Sequence, residues 1–434
     1  MVKKNQTLYV LMNGILVGLL EKTPQGGLKF TYHHDWLNQA GARPISLSLP
    51  LINNTYSGDV VYNFFDNLLP DNQQIRARIQ ARFQIATSQP FDLLAGIGRD
   101  CVGAIQLVTA PLAFEKKIKF KPLTEQKIAS ILRNYRINPL GMSQEDEEFR
   151  ISIAGAQEKT AFLYHENQWC EPLQETPTTH IFKLPIGFIA HQQMDLSDSC
   201  ENEWLCSLLA KCYGLPAADC DILQFEDIKV LSVKRFDRRV SRDKSWIMRL
   251  PQEDMCQALG VSYNIKYQSD GGPGIKEIMK LLLASANSIA DRDVFYRTQV
   301  FFWLLAAIDG HAKNFSLFIE AEGKYRLSPL YDIISAYPLI KKNQLQPQKI
   351  KMAMALKGKN KHYHWHTLQR RHFLDTAKDA NYSPDRAEMI LNEMLEQTDS
   401  VIQEVAKQLP EHFPKNISEP IFEGLRKAKQ KLEQ

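Results

Sequence analysis

The sequence predicts an α+β fold of two lobes, with a strand-rich N-terminal half and a mostly helical C-terminal half. Three observations lead to this prediction. The 434 residues exceed the roughly 250–300 that a single hydrophobic core supports. Short β-prone runs separated by turn residues fill the chain up to about residue 240. Beyond that point the apolar residues follow a helical period.

Changes of pattern divide the chain into four parts. Residues 1–110 predict an α/β subdomain that opens with a hairpin, because Asn13-Gly14 separates two β-prone runs. The pattern weakens over residues 111–147, which we interpret as a connecting segment. Residues 148–240 form a strand-rich part, and residues 241–434 form a helical lobe.

Several helices are predicted from their apolar spacing. Residues 60–83 become helical, with Arg76, Arg78 and Arg82 on a face that we expect to be solvated. An amphipathic helix follows Ser197 or Ser199, either of which is a candidate N-cap, and it stops at Gly-Leu-Pro. Further helices are predicted over 274–286, 292–308, 384–408 and 417–433.

Composition excludes some classes of protein. With 44% hydrophobic and 24% charged residues, the chain has the composition of a soluble globular protein. No apolar run approaches the roughly 18 residues of a membrane span, so we expect no membrane association. Asn13-Gly14 splits the apolar N-terminal stretch and no cleavage site follows it, which favours the hairpin over a signal peptide. The cysteines, seven in number and without a CxxC pair, favour reduced thiols and a cytoplasmic location.

The motif "DGHAKN", residues 309–314, directly follows the apolar run "VFFWLLAAI". Asp309 and Asn314 have the spacing of the protein-kinase catalytic loop, in which the Asp accepts the substrate hydroxyl proton and the Asn binds magnesium. Taken alone, the motif favours a polar helix cap with Gly310 in the turn. Asp332 follows 18 residues after Asn314. One carboxylate and one amide oxygen suit Mg²⁺, so Asn314 and Asp332 are candidate magnesium ligands.

Two upstream features suit phosphate binding. Lys183 lies within "HIFKLP", an alternating strand in which an inward lysine would neutralise phosphate oxygens. Its acidic partner is either Glu201 or Glu203, and the sequence does not decide between them. The loop "SIAGAQEK", residues 152–159, lies between two predicted strands, where backbone N–H groups around Gly155 suit phosphates. An ordinary surface hairpin explains the same loop.

Long ordered motifs resemble the HipA family, the serine/threonine-kinase toxins of the HipBA toxin–antitoxin systems. The C-terminal ~60 residues and residues 341–371 match only loosely. The resemblance covers most of the chain and rests on "RPISLSLPL", "YNFFDNLLPD", "QPFDLLAGIGRDCVGA", "FRISIAGAQEKTAFL", "TPTTHIFKLPIG", "VKRFDRR", "LPQEDMCQ", "SDGGPG", "DGHAKNFS" and "YDIISAYP".

The resemblance implies a two-lobed kinase-like fold that uses ATP and Mg²⁺. Residues 1–110 would be the family's N-terminal subdomain, residues 148–240 the nucleotide-binding part, and residues 241–434 the lobe that carries the catalytic loop. Asp309 would be the general base and Asn314 and Asp332 the metal ligands. The implied ATP-binding residues are Ala154, Gly155, Ala156, Gln157, Glu158, Lys159, Lys183, Lys234, Arg235, Phe236, His311, Ala312, Lys313, Asn314, Tyr331 and Asp332. This chain has Lys234 where the enterobacterial toxin of the family has an acidic residue. Because backbone groups hold the adenine at this position in the family, we expect ATP binding to be retained.

The resemblance also implies partners and regulation. A HipB-like helix-turn-helix antitoxin would bind the chain on operator DNA and repress the operon, and the protein substrate would be glutamyl-tRNA synthetase. Phosphorylation of Ser152 by the kinase itself would expel the phosphate loop and stop ATP binding. The alternative from another class is a non-catalytic corepressor that only stiffens an antitoxin–operator complex. The presence of base, metal ligands and phosphate lysine together favours the kinase.

A basic stretch lies between Asp332 and Asp375. It holds nine Lys or Arg and four His but no acidic residue, which favours proximity to DNA over a flexible solvated loop. Lys378 would contact DNA, although Asn381 replaces an arginine of the family and Asp379 adds a repulsive charge. The alternation "HYHWH" predicts His362, His364 and His366 on one strand face, which we interpret as surface residues rather than a metal site.

Overall fold

The structure is a computed structural model that describes residues 6–110, 114–134, 153, 157, 159–190 and 192–433. The chain forms two compact units. The first comprises Met1–Leu184, Leu223–Asn264 and Leu317–Tyr325, and the second comprises Pro185–Ile222, Ile265–Ser316 and Arg326–Gln434. The four-part division made from sequence stays a prediction.

A five-stranded sheet begins the first unit, and its strands are ordered Thr55–Ser57, Leu28–Tyr32, Ile15–Lys22, Gln6–Met12 and Ile105–Val108. Adjacent strands are antiparallel. The predicted hairpin is confirmed, because Met12 pairs with Ile15 across Asn13-Gly14. Both turn residues have positive φ, 50° and 80°, as a type I′ turn requires.

Helices cover this sheet and bury its apolar face around Phe30, Phe64 and Phe65. These helices are His34–Leu37, Asp59–Asp66, Gln73–Arg82 and Pro90–Ile97. The expectation of a solvated arginine face is wrong for Arg76, which is only 2% exposed. Its guanidinium pairs with Asp66 at 2.5 Å and lies over the Tyr263 ring. A buried carboxylate and an aromatic face compensate this cation for lost hydration.

A six-stranded sheet follows, with the strand order Cys220–Phe225, Ile228–Lys234, His180–Lys183, Lys159–His165, Gln168–Pro172 and Phe120–Pro122. Helix Glu125–Arg133 packs against it, and Ile128 and Leu132 share a core with Phe162 and Phe182. The remaining strands of the described chain before residue 330 are short. They are Gly187–Ile189, Met194–Leu196, Arg238–Val240, Ile247–Arg249, Gln252–Asp254, Ser316–Ile319 and Tyr325–Leu327.

An ionic network lies buried in the first unit. Asp100 accepts hydrogen bonds from Arg235, Arg238 and Arg249 at 3.3, 2.8 and 3.3 Å. Thr178 donates to the same carboxylate through its N–H and its hydroxyl. Asp237 accepts from Arg235 and Arg238 and from the N–H of Gly103. The network therefore joins the segment between helix Pro90–Ile97 and strand Ile105–Val108 to the residues that follow strand Ile228–Lys234.

The second unit is mostly helical, which with the sheets of the first unit confirms the α+β class. Its longer helices are Ser199–Cys212, Ile275–Leu281, Ser288–Leu304, Tyr337–Lys341, Arg370–Asp379, Pro384–Glu396, Thr398–Gln408 and Lys415–Glu433. In the described ranges no helix is long and apolar enough to cross a bilayer.

Some predicted helix limits are wrong. Helix Ser199–Cys212 has Asp198 at its N-cap, where no side chain caps the helix, so neither Ser197 nor Ser199 holds that position. The Ser199 hydroxyl oxygen instead accepts a hydrogen bond from the N–H of Ile186 at 2.9 Å. The stretch 384–408 breaks at Gln397 into two helices. The helix predicted to residue 308 ends at Leu304, since Ala306 has a φ of 49° that helical backbone excludes.

The basic stretch contains a hairpin of strands Lys351–Lys357 and Lys361–His364, called the basic hairpin below. Met352 to Leu356 are buried, so a flexible loop does not describe this part of the stretch. The expected histidine face is wrong, because a 3₁₀ turn from Trp365 takes His366 off the strand. His362 stacks on His372 instead, with ring centroids 4.4 Å apart.

Candidate active site

The motif 309–314, called the catalytic loop below, follows the buried helix Ser288–Leu304. Val300 to Leu304 fill the core of the second unit, and Ala306 reverses the chain with its positive φ. Gly310 packs on the Phe302 ring, and a Cβ at residue 310 would collide with that ring. The glycine therefore lets the loop lie directly on the helix that precedes it.

Hydrogen bonds close the catalytic loop on itself. The Asn314 Nδ2 donates to the Asp309 carbonyl oxygen at 2.7 Å, and the N–H of His311 donates to the same oxygen at 2.8 Å. Asn314 is 5% exposed, whereas Asp309 is exposed. The loop thus fixes the amide in the interior and presents the Asp309 carboxylate to solvent, where an incoming hydroxyl can reach it.

Hydrogen bonds of Tyr331 connect the segment that carries Asp332, the second candidate metal ligand, to the catalytic loop. Its hydroxyl donates to the Lys313 carbonyl oxygen at 2.7 Å, which leaves the Ser316 hydroxyl as the donor in their 2.5 Å contact. Asp332 follows with a φ of 60°, a region that non-glycine residues enter at an energetic cost and that is frequent at functional sites. The segment carrying Asp332 is therefore held beside the residue that precedes Asn314.

The other predicted residues of the loop are buried: His311 is 5%, Ala312 0% and Lys313 6% exposed. The Ala312 N–H donates to the Lys266 carbonyl oxygen at 3.2 Å. The His311 ring meets the ring of Tyr267 edge-on, 4.9 Å away. Burial and these contacts show that His311 to Lys313 pack in the interior, and their role in ATP binding stays a prediction.

Sequence reasoning missed Tyr267 as a member of this site. The Tyr267 Oη donates to the Asp309 Oδ1 at 2.6 Å. Tyr267 lies 42 residues before Asp309, so no local spacing links the two. The signal that the sequence does carry is the neighbouring glycine cluster "SDGGPG", which forces the chain to fold back just after the tyrosine.

In the first unit, Lys159 and Lys183 lie directly opposite each other on adjacent antiparallel strands. Residues so paired project from the same face of a sheet, about 4.5–5.5 Å apart at Cβ. Lys183 is 6% exposed. The sheet thus brings two positive charges to one place, an arrangement that suits phosphate oxygens.

The predicted adenine segment, Lys234 to Phe236, divides into different environments. Lys234 is exposed, and burial together with the Lys234 charge lowers the pKa of the opposite His180 to about 4. Phe236 meets Phe318 edge-on at 5.7 Å. Every guanidinium nitrogen of Arg235 donates within the buried network, so contact with a nucleotide is left to its backbone.

Part of the predicted phosphate loop lies outside the described residues, namely Ser152, Ala154, Gly155, Ala156 and Glu158. Gln157 is described, and its Nε2 donates to the Leu184 carbonyl oxygen at 2.9 Å. Glu201 and Glu203 are both 4% exposed on helix Ser199–Cys212. Equal burial leaves the choice of a partner for Lys183 open.

The candidate metal ligands are one carboxylate and one amide. Groups of three or more His, Cys, Asp or Glu that suit a metal ion are absent from the described part of the chain. The Asn314 Nδ2 donates to the Asp309 carbonyl oxygen, so the amide oxygen is the Asn314 atom that would coordinate a metal ion. An amide oxygen and the Asp332 carboxylate are the hard donors that Mg²⁺ prefers, so these residues fit the ion.

The predicted DNA contact Lys378 is exposed on helix Arg370–Asp379. Asp379, expected to repel DNA, pairs with Lys276 at 3.1 Å. Asn381 has a φ of 51°, and its carbonyl oxygen accepts from Arg292 at 2.6 Å. The guanidinium of Arg292 therefore lies close to Asn381, the position at which the family has an arginine.

Known proteins resemble this chain over nearly its whole length. The family model of the HipA-like C-terminal domain matches residues 151–402, and that of the HipA N-terminal domain matches residues 8–108. The putative kinase Y4mE of Sinorhizobium fredii is 33% identical over 344 residues, which are 77% of this chain and 78% of that protein. The serine/threonine-protein kinase toxin HipA of Shewanella oneidensis is 28% identical over 345 residues, 76% of each protein.

A solved structure shares the fold. It is the complex of Shewanella oneidensis HipA with HipB and operator DNA, whose matching chain superposes with a TM-score of 0.82 at 21% identity, covering 98% of this chain and 97% of that one. Both family domains occur here in order, and a kinase relative matches most of the length. The chain therefore belongs to the HipA family of serine/threonine-protein kinase toxins.

Proposed function

We propose that this chain transfers the γ-phosphoryl group of ATP to a protein serine or threonine, with Mg²⁺, and that this reaction makes it the toxin of a toxin–antitoxin pair. The observation that carries the proposal is the closed catalytic loop. Its Asn314–Asp309 hydrogen bond of 2.7 Å joins the candidate metal amide to the candidate base and leaves the base carboxylate exposed.

Asp309 is proposed as the general base. Its carboxylate accepts the proton of the acceptor hydroxyl as the hydroxyl oxygen bonds to the γ-phosphorus and the bond to the β–γ bridging oxygen breaks, releasing ADP. The proton passes to one carboxylate oxygen, so the other must be held by the protein. Asp309 is exposed and its Oδ1 accepts a hydrogen bond from the Tyr267 hydroxyl, so it meets both needs.

Asn314 and Asp332 are proposed to hold Mg²⁺, which neutralises charge on the phosphate oxygens when bound. The amide is oriented by its own Nδ2 hydrogen bond, and the Asp332 backbone is fixed in a left-handed conformation next to the tethered Tyr331. Lys159 and Lys183 are proposed to bind phosphate oxygens, since their charges face each other across two strands. The 234–236 segment is proposed to hold the adenine through its backbone.

The test is Asp309→Asn, which removes the proton acceptor at nearly constant shape. We expect unchanged folding and unchanged binding of a fluorescent ATP analogue, together with loss of label transfer from γ-labelled ATP and loss of growth arrest on induction. Asp221→Asn, at an exposed aspartate of the same unit, is the matched control and is expected to transfer normally. Full transfer by the Asp309 variant would refute the base assignment. Asp332→Ala is expected to raise the Mg²⁺ concentration that half-saturates transfer.

The substrate proposed for this kinase is glutamyl-tRNA synthetase, whose phosphorylation would stop charging and halt translation. The support is the family resemblance. Purified synthetase, incubated with the kinase and γ-labelled ATP, is expected to gain label on a serine and to lose aminoacylation activity. Labelling of other lysate proteins in place of the synthetase would refute this choice of substrate while leaving the kinase activity intact.

The chain is also proposed to bind a HipB-like helix-turn-helix antitoxin on operator DNA and to act there as a corepressor. The support is the fold match to a complex of HipA, HipB and operator DNA, together with the exposed Lys378 and the basic hairpin of this chain. Co-purification with the product of a neighbouring small reading frame, and its retention on operator DNA, would test this.

Self-inactivation at Ser152 is the last part of the proposal. A phosphate adds about −1.5 to −2 charges, which would compete with ATP for the paired lysines of the first unit. Incubation with ATP and Mg²⁺ is expected to add one phosphate at Ser152 and to weaken nucleotide binding, and Asp309→Asn protein should stay unmodified. Unweakened ATP binding by the phosphorylated chain would refute the mechanism.

A further inference from the structure

Tyr267 lies against the proposed base. The Tyr267 Oη donates to the Asp309 Oδ1 at 2.6 Å, while the Tyr267 ring is held edge-on against the His311 ring at an interplanar angle of 88°. A hydrogen bond to one carboxylate oxygen fixes the rotation of the group and leaves the second oxygen for the incoming proton. We propose that Tyr267 is the positioning residue of Asp309, an inference that rests on the proposed function.

The backbone around Tyr267 is built to hold this side chain. The N–H groups of Asp270 and Gly272 both donate to the Tyr267 carbonyl oxygen, at 3.1 and 3.0 Å. A Cβ on Gly272 would collide with the Ile265 carbonyl, and one on Gly274 would collide with the Gln268 side chain. Gly272 is therefore required where the chain folds back over residues 265–268, and the fold holds the Tyr267 backbone in place.

One strand of the basic hairpin supports both partners. The Ala353 N–H donates to the carbonyl oxygen of Ile308, the residue before Asp309, at 3.0 Å. Two residues on, the Ala355 N–H donates to the Gln268 Oε1, beside Tyr267, at 2.7 Å. Ile308 and Gln268, the chain neighbours of the aspartate and the tyrosine, are thus hydrogen-bonded to the same strand. This constrains the separation of the two side chains, as a positioning role requires.

A further bond joins the two segments directly. The Ala312 N–H within the catalytic loop donates to the carbonyl oxygen of Lys266 at 3.2 Å. A tyrosine that served packing alone would contribute to stability and to the shape of the loop, since half-buried tyrosine hydroxyls commonly find a partner. A positioning tyrosine contributes to turnover in addition, and the two roles give different results when the hydroxyl alone is removed.

The test is Tyr267→Phe, which deletes the hydroxyl and keeps the ring against His311. The assay is the initial rate of label transfer from γ-labelled ATP to the proteins of a bacterial lysate, in which the native acceptor is present. We expect kcat to fall roughly 10- to 100-fold, with the KM for ATP and the melting temperature unchanged. Tyr382→Phe is the matched control, because Tyr382 also donates to an aspartate, Asp293, and it should keep the wild-type kcat.

A double variant separates positioning from packing. If Tyr267 acts through the Asp309 carboxylate, adding Tyr267→Phe to Asp309→Asn should not slow the residual transfer further. Wild-type kcat in Tyr267→Phe, a parallel loss of ATP binding and melting temperature, or an additive effect in the double variant would each overturn the inference. Full activity of Asp309→Asn would instead overturn the base assignment, so the two failures are distinguishable.

Discussion

Removal of one carboxylate from the buried network of the first unit tests how that unit is held together. Asp100 is 5% exposed and lies among three guanidinium groups and Thr178. Burial would raise the pKa of Asp100, but Arg238, Arg235 and Arg249 outweigh burial and hold that pKa well below its usual range. Asp100→Asn keeps the shape of the side chain and removes its negative charge. It also places an NH₂ donor where the arginine and Thr178 donors need an acceptor.

The expected loss in the free energy of unfolding follows from the balance of charges in the network. Two aspartates, Asp100 and Asp237, face three arginines in the network, so its net charge is +1 and would become +2 in the variant. Breaking a buried ion pair by removing one partner costs about 3–5 kcal/mol. With an m-value of about 3 kcal/mol/M, the urea midpoint should fall by about 1–2 M.

Urea denaturation at pH 7, followed by circular dichroism, measures this loss. The control is Asp35→Asn, whose side chain is 84% exposed, and which should change the free energy of unfolding by no more than about 0.5 kcal/mol. A group with a depressed folded pKa stabilises above its unfolded pKa of about 3.9. That contribution is lost as the pH falls through the folded value. The difference between wild type and Asp100→Asn should therefore be constant from pH 7 to about 5.

Two outcomes would refute this reasoning. An Asp100→Asn variant within about 0.5 kcal/mol of wild type would mean that the arginines re-pair with Asp237 or reach water at little cost. A difference that shrank between pH 7 and 5 would mean that the folded pKa of Asp100 is not depressed, contrary to the arrangement of charges around it.

Three further predictions follow from other sites. Burial raises the pKa of Glu253 to about 8, although hydrogen bonds from Ser46 and Leu47 act to lower it. Wild-type stability should fall as the pH rises from the ordinary glutamate pKa of about 4.3 towards 8, by at most about 1.4 kcal/mol per pH unit; Glu253→Gln should lack this slope in urea titrations. Gly310→Ala should cost about 1–3 kcal/mol and lower transfer, since its methyl group would collide with Phe302; unchanged melting and activity would contradict the packing. Charge reversal at Lys357 and Lys359 should flatten the salt dependence of operator binding by the antitoxin complex by about one unit per lost contact, and an identical slope would remove the basic hairpin from the DNA.

Features encoded by local sequence were predicted well. The Asn13-Gly14 hairpin was predictable because two residues with positive φ suffice to define it. The α+β order and the main helices followed from apolar spacing. The N-cap at Asp198 and the helix end at Leu304 were not predicted, because caps and ends depend on neighbours that pack from elsewhere in the chain.

Burial of charge was the main failure of sequence reasoning. Arg76 has the helical spacing of a surface residue, yet it is buried against Asp66 and Tyr263. Arg235 lies in a motif interpreted as an adenine-binding segment, yet its side chain is fully used in the network with Asp100. Tyr263 lies 187 residues from Arg76, and Asp100 lies 135 residues from Arg235, and no periodicity of the sequence indicates such pairs.

The sequence by itself determined which residue types are available for the proposed chemistry: a carboxylate and an amide five residues apart, a second carboxylate downstream, and lysines at 159 and 183 on β-prone runs. Residue types and their spacing along the chain can be read directly from the sequence. Only the tertiary structure decided that Lys159 lies opposite Lys183, and that Tyr267 donates to Asp309 from 42 residues away. The physical reason is that strand register and side-chain hydrogen bonds depend on which segments pack together, and packing is set by the buried surface of the whole unit.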